Sequence, residues 1–113
     1  MLPALSLLLL APLAARAAEC YAQSNGSNCV DLTQLKAHQY AWCSVNWNYY
    51  HGDFIGFTDS NGHTAWIGKI GNFQSEADCE FSYNSIIETC FGSRNGGSWT
   101  AGGVSLNIDF CDW

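Results

Sequence analysis

Six cysteines place the strongest constraint on what this chain of 113 residues folds into. They are Cys20, Cys29, Cys43, Cys79, Cys90 and Cys111. An even number of cysteines in a short chain predicts disulfides, here three, which reinforce a core of modest size. Zinc is the rival explanation, but the sequence has no Cys-x-x-Cys pair, and no histidine lies at ligand spacing from a cysteine pair. We therefore expect disulfides, no metal and no cofactor.

The N-terminal segment indicates that the protein enters an oxidising compartment, where disulfides form. Residues 2–15 form an apolar run that is too short to span a membrane, which needs about 20 apolar residues. Pro3 and Pro12 argue against a buried helix, and Ala15 and Ala17 fit a signal-peptidase site. We predict a signal peptide over residues 1–17, a single domain over residues 18–113, and a secreted, extracellular protein.

Charge narrows the range of partners. The chain has ten acidic residues against four Lys and Arg, for a formal net charge of −6. No basic patch is available for phosphate groups, so nucleic acid and anionic membranes are disfavoured as partners. The sequence leaves the oligomeric state open.

Two segments have helical spacing. The first begins at Asp31, with Gln34 as the second half of a capping box, and ends near Ser44. Its mostly apolar face comprises Leu32, Leu35, Gln39, Trp42 and Cys43. The second helix begins at Ser75, and Gly92 provides a left-handed cap at its end. Its stripe comprises Cys79, Tyr83, Ile86, Ile87 and Cys90.

Two hairpins complete the predicted domain. The first consists of a strand within residues 46–57, a turn at 59–62 and a strand over 63–70. The second joins residues 96–100 to residues 104–110 through a Gly-Gly turn. We expect Trp66 and Trp99, both at strand positions, to lie in the core. The fold class is α+β, in the order helix, hairpin, helix, hairpin, with two helices packed on a four-stranded, mostly antiparallel sheet.

This order of elements suggests which cysteines pair. The last hairpin returns the chain towards the end of the second helix, and the first hairpin returns it towards the end of the first helix. These returns predict Cys90–Cys111 and Cys43–Cys79, and leave Cys20–Cys29 to close an N-terminal loop over residues 20–30. Crossed pairing of Cys20 with the C-terminal region is the alternative.

Catalysis finds little support in the sequence. We expect His38 to face solvent, and His51 beside Asp53 is more simply explained as loop solvation than as a base and its orienter. No phosphate loop, nucleophile elbow or metal-binding pair is present, so no catalytic residue is assigned. The segment CYAQSNGSNC resembles the start of fungal guanyl-specific ribonucleases, but no histidine follows His63, as that family requires.

One segment has the composition of a sugar site. A sugar ring has a C–H face that aromatic rings cover and hydroxyls that amides and carboxylates bind. Candidate glycan-binding residues are Asn46, Trp47, Asn48, Tyr49, Tyr50, His51 and Asp53. The alternative is that Trp47 and one tyrosine fill the core and the rest is an ordinary loop. Asn25 begins an N-glycosylation acceptor sequence, although a plain turn explains it equally well.

The C-terminal half adds a resemblance. Its features are Asp-Cys near the start of a helix, a closing Cys, Gly-Gly-Ser-Trp, and a last strand ending in Phe-Cys, with Ala65-Trp66 and Gly71-Asn72-Phe73 upstream. Over residues 60–111 the chain resembles the mushroom secreted glycan-binding proteins, which implies an αβα-sandwich lectin fold. Fungal killer toxins and necrosis-inducing effectors share its size and cysteine density.

These observations predict a secreted, calcium-independent carbohydrate-binding protein without catalysis, which would bind a carbohydrate or a cell-surface glycoconjugate. Calcium is left out because no dense carboxylate loop is present. The alternatives are a secreted killer-toxin-like protein or necrosis-inducing effector, and a small secreted hydrolase.

Overall fold

The computed structural model describes residues 18–24, 26–49 and 52–111. The helices are α1 (Leu32–Asn46) and α2 (Glu76–Cys90). The strands are β1 (Glu19–Cys20), β2 (Ile55–Thr58), β3 (Thr64–Ile70), β4 (Gly96–Ala101) and β5 (Val104–Asp109). The strands form one antiparallel sheet in the order β1-β4-β5-β3-β2. The α+β prediction is confirmed, with five strands in place of four. The predicted signal peptide 1–17, Asn25, Tyr50 and His51 lie outside the described residues.

The additional strand comes from a segment predicted as a loop. Glu19 and Cys20 pair with Ser98 and Gly97 of β4, at the edge of the sheet. Two residues are too few to display strand alternation, so the pairing has no sequence signature. Further along the N-terminal segment, Ser24 and Arg94 form an isolated antiparallel β-bridge.

The capping prediction for α1 is confirmed in one half and wrong in the other. Asp31 is the N-cap, and its carboxylate accepts a hydrogen bond from the Gln34 backbone N–H at 2.9 Å. The Gln34 side chain does not return to Asp31. It forms two hydrogen bonds with Ser60, while the Asp31 backbone N–H donates to Asp59 Oδ2 at 2.8 Å. The turn between β2 and β3 thus completes the cap.

Asp59 also organises its own turn. Its Oδ1 accepts hydrogen bonds from the backbone N–H groups of Asn61 and His63, each at 2.9 Å. Burial by itself raises the pKa of this carboxyl, but the hydrogen bonds from His63, Asp31 and Asn61 outweigh it, and the net pKa lies below its usual value.

Helix α2 is the central element of the core. The Ser75 side chain caps it by accepting from the Asp78 backbone N–H, and Gly92 beyond its end has φ +89°, as predicted. Every residue of its predicted stripe is buried, while Leu32 of the α1 stripe is exposed. Helix α2 packs on β1, β4 and β5, and α1 packs on α2.

Both helices lie on the same face of the sheet. Leu106, Ile108 and Ile67 point towards them and are fully buried. On α1, His38 stacks on Phe57 of β2 with ring centroids 4.3 Å apart. The described residues therefore form two layers, where an αβα sandwich has three. We call the helix-covered side the inner face and the opposite side the outer face.

Two side-chain predictions are wrong. His38 is half-buried, and its Nδ1 lies 3.0 Å from the Tyr83 hydroxyl, because α1 turns that side towards α2 and β2. Trp66 is 46 % exposed because it points from β3 to the outer face, whereas Trp99 of β4 points inward and is buried as expected.

The three disulfides only partly match the predicted pairing. Cys43–Cys79 is confirmed and joins α1 to α2. The pairs Cys20–Cys29 and Cys90–Cys111 are wrong, since Cys20 pairs with Cys90 and Cys29 with Cys111. The N-terminal segment lies along the C-terminal half of the domain, so each of its cysteines reaches across the fold; the crossed alternative named Cys20 alone and did not include Cys29–Cys111. Within the ranges described, no helix has the length and apolar character needed to cross a membrane.

Candidate functional site

A cleft lies on the inner side of the sheet, between the start of α2 and the turn of the β4–β5 hairpin. It has a volume of about 290 Å³. The segment 72–74 and the first turns of α2 form one wall, and the end of the β4–β5 hairpin forms the other. Concave sites with apolar walls and a few convergent polar groups are the usual places for small ligands.

Three aromatic rings line the apolar part of the cleft. The Phe73 and Trp99 centroids lie 6.1 Å apart, and Phe81 meets Trp99 edge-on at 6.4 Å. Phe73 and Trp99 are buried, but Phe81 is 61 % exposed. Phe81 therefore presents an open aromatic wall against a fixed aromatic floor.

Trp99 also carries a polar group, which is not exposed at the cleft surface. Its indole Nε1 is buried and has no hydrogen-bond partner in the part of the chain that the structure describes; Trp42 Nε1, outside the cleft, is in the same position. A buried donor without an acceptor destabilises a fold by about 1–3 kcal/mol. Trp99 therefore contributes the apolar surface of its ring to the cleft, while its indole N–H stays buried.

Polar side chains surround the rings. Asn72 and Gln74 supply amides, and Asp78 supplies a carboxylate from the first turn of α2. These groups provide hydrogen-bond donors and acceptors. The cleft therefore suits a ligand with one apolar face and several hydroxyls.

A buried lysine orients one of these amides. Lys69 is 7 % exposed, and its Nζ donates to Gly71 O and to Asn72 Oδ1, both at 2.6 Å. Burial lowers the pKa of Lys69. Because the Asn72 oxygen accepts from lysine, its NH₂ group is left as the donor for the cleft.

Comparison with known proteins agrees with this chemistry. The family model LDL, described as alpha-galactosyl binding lectin, matches residues 31–113. The chain belongs to this lectin family. No curated protein matches it. Membership in the family supports a carbohydrate-binding, lectin-like protein, and the matched residues include the whole cleft.

The predicted segment 46–53 is divided between different environments. Asn46 is buried, with its Nδ2 donating to Trp42 O, and Trp47 is half-buried against the core. Asn48 and Tyr49 are exposed, as is Asp53, which lies on the outer face. The segment touches the cleft indirectly, through the hydrogen bond from Phe73 N to Trp47 O at 2.8 Å.

Sequence reasoning did not assign the aromatic residues of the cleft to a site. Phe81 lies off the apolar stripe of α2, and a large apolar residue on the polar side of an amphipathic helix was the available signal. Phe73 and Trp99 lie far apart along the chain, and only the packing of α2 on β4 brings them together.

Among the described residues, no cluster of three or more His, Cys, Asp or Glu is placed to hold a metal ion.

Proposed function

We propose that this protein binds terminal α-galactosyl residues of neutral glycans in the cleft, without calcium and without catalysis. The observation that carries the proposal is the joining of three aromatic rings and three polar side chains in one cleft of an alpha-galactosyl binding lectin family member. The volume of about 290 Å³ is sufficient for a single sugar ring.

The geometry suits galactose in particular. The axial 4-hydroxyl of galactose leaves one side of the ring as a continuous C–H patch, and Phe81 supplies an exposed aromatic surface for it. The hydroxyls at the ring edge then face the Asn72 amide, which donates, and the Asp78 carboxylate, which accepts. This arrangement divides recognition between stacking and hydrogen bonding.

The same residues favour binding over hydrolysis. Glycoside hydrolysis usually requires two carboxyl groups on either side of the scissile bond. Asp78 is the only carboxylate among the described residues that line the cleft. A single carboxylate accepts hydrogen bonds from a sugar but leaves the acid–base pair incomplete.

Secretion is part of the proposal. Three disulfides are typical of proteins that mature in an oxidising compartment, where glycans are abundant ligands. The proposed signal peptide 1–17 and the resemblance to mushroom secreted glycan-binding proteins point the same way. A killer-toxin-like or effector role is the alternative if a correctly folded protein binds no glycan.

Calorimetric titration with methyl α-galactoside tests the proposal. We expect binding that EDTA leaves unchanged, and we expect Phe81→Ala to weaken it by about tenfold or more. Tyr40→Ala is the matched control, because Tyr40 is also 61 % exposed and lies on α1, away from the cleft. Equal affinities of both variants and the wild type would reject the cleft as the site.

The segment 46–53 stays a prediction and is tested in the same titration. Tyr49 is 56 % exposed, so Tyr49→Ala removes an aromatic ring with little effect on folding. A loss of affinity with Tyr49→Ala and none with Phe81→Ala would move the sugar site to that segment.

A further inference from the structure

The outer face of the sheet carries aromatic rings that lie on glycines. A Cβ at Gly56 would come within 3.0 Å of the Trp66 ring, and one at Gly68 within 2.9 Å of the Phe54 ring. Tyr21 lies 2.9 Å from the Cβ position of Gly96, but there the backbone oxygen of Ile108 lies closer still. An aromatic ring approaches a strand this closely only where no side chain intervenes, so Gly56 and Gly68 make room for the rings of Trp66 and Phe54.

Two of these rings remain open to solvent. Phe54 is 49 % exposed and Trp66 is 46 % exposed. Trp66 and Gly68, which lies under Phe54, are two residues apart on β3, so they face the same side of the sheet. We call the pair Phe54 and Trp66 the outer platform.

A row of uncharged polar groups runs beside the outer platform. Asn107 Oδ1 accepts from the Tyr21 hydroxyl at 2.9 Å, and Asn107 Nδ2 donates to Ser105 Oγ at 3.2 Å. Thr100 Oγ1 lies 3.4 Å from Ser105 Oγ. These contacts hold an amide and several hydroxyls in fixed positions on the strands next to the rings.

A shallow depression joins Phe54 to Asn107 of the polar row. It has a volume of about 100 Å³ and is also lined by Asp53 and by Lys69, whose ammonium donates to Gly71 O and Asn72 Oδ1. The charged residues at strand positions of this face are Glu19 and Asp109, both acidic. Burial raises the pKa of Asp109, and burial together with Asp109 raises the pKa of Tyr21 to about 12. A face with acidic groups and neutral donors repels anionic ligands and fits uncharged hydroxyl-rich ones.

We propose that the outer platform is a second carbohydrate-binding surface, which takes a stretch of neutral polysaccharide by stacking sugar rings on Phe54 and Trp66. The cleft lies on the inner side and the outer platform on the other, so a single chain would hold two glycans at once. This bivalence rests on the function proposed for the cleft; binding at the outer platform does not. Two weak contacts on one chain raise the avidity for a multivalent glycan surface.

Galactomannan, a neutral polysaccharide with α-galactosyl branches, is a suitable probe, with methyl α-galactoside as the probe for the cleft. Trp66→Leu keeps an apolar side chain but removes the flat ring, and Trp66→Tyr restores a ring. We expect Trp66→Leu to weaken galactomannan binding about tenfold, Trp66→Tyr to recover most of it, and both to bind methyl α-galactoside as the wild type does. Equal galactomannan binding by the Leu and Tyr variants would overturn the proposal.

Two further measurements separate the possible failures. Phe81→Ala in the cleft is expected to lose methyl α-galactoside binding and to keep a part of galactomannan binding that Trp66→Leu removes. If Phe81→Ala leaves monosaccharide binding intact while Trp66→Leu lowers polysaccharide binding, the function proposed for the cleft fails and the outer platform stands. Sedimentation velocity tests the other occupant: a wild-type dimer that becomes a monomer with Trp66→Leu would show that a second copy covers this face, and the proposal would be wrong.

Discussion

The inner and outer faces of the sheet are built from the same strands and differ in what covers them. On the inner face, Leu106 and Ile108 lie under the helices and Trp99 lines a cleft. On the outer face, Trp66 and Phe54 lie on glycines and remain about half exposed. Trp99 on the inner face is therefore buried, whereas Trp66 on the outer face is accessible to solvent.

The difference teaches that strand alternation divides residues between faces but does not say which face the helices cover. Ile67 and Trp66 are neighbours in sequence, but Ile67 is fully buried and Trp66 is about half exposed. Large apolar residues on both sides of β3 are compatible with a sheet buried on both faces, so a strand position by itself does not place Trp66 in the core. The helices cover one side only, so the aromatic rings Phe54 and Trp66 on the other side remain about half exposed.

The largest expected effect concerns the scaffold that both faces share. Removing a native disulfide from a small secreted domain typically lowers the free energy of unfolding by about 2–5 kcal/mol, and such a domain has about 5–15 kcal/mol in total. Reduction of all three disulfides should therefore unfold the protein and abolish both surfaces together. A cooperative melt at unchanged temperature in strong reductant, monitored by circular dichroism, would contradict this.

A smaller effect is expected from replacing one glycine on each face by alanine, because the two substitutions should lower the free energy of unfolding by different amounts. A Cβ at Gly97, on the inner face, would lie 2.7 Å from both Cys90 Sγ and Glu19 O, which are held by the disulfide and the sheet. The atoms nearest to a Cβ at Gly68 all belong to the ring of Phe54, a side chain that is half exposed and has solvent to move into. We expect Gly97→Ala to lower the free energy of unfolding by about 1–3 kcal/mol and Gly68→Ala by less than about 1 kcal/mol.

Urea denaturation of the two variants gives both values under the same conditions. The comparison also has a functional side, because Gly68→Ala displaces the Phe54 ring and should weaken galactomannan binding while the fold persists. Equal destabilisation by the two substitutions would show that the outer face is packed as firmly as the inner one.

The smallest expected effect is a pH dependence that arises on the inner side. Burial lowers the pKa of His38, whose ring stacks on Phe57 and contacts the Tyr83 hydroxyl. The unfolded chain then binds a proton more readily than the folded one, so stability is complete above the unfolded pKa of about 6.5 and declines as the pH falls below it. We expect a decrease of a few degrees in Tm between pH 7.5 and pH 5.

His38→Gln is the variant that isolates this contribution, since it keeps a polar side chain but does not titrate. Its Tm should change less over the same interval than that of the wild type. Identical pH profiles of the two proteins would show that His38 is not the source of the acid sensitivity in this interval; the Asp59 carboxylate, whose pKa is lowered, titrates only at lower pH.

Local patterns by themselves determined much of this fold. Capping residues placed the starts of both helices at Asp31 and Ser75, because a side-chain acceptor before an apolar stripe satisfies the free backbone N–H groups there. The stripe of α2 and the alternation of β5 identified most of the core, and the Gly-Gly turn identified the last hairpin. Each of these features depends on residues a few positions apart.

Tertiary structure alone decided the rest. The Cys20–Cys90 and Cys29–Cys111 disulfides, the inward turn of His38 and the exposure of Trp66 all follow from which elements become neighbours. The cleft arises in the same way, because Phe73, Phe81 and Trp99 come from a loop, a helix and a strand. Contacts between distant segments depend on how whole elements pack to bury their apolar faces, and that global arrangement has no short-range period in the sequence.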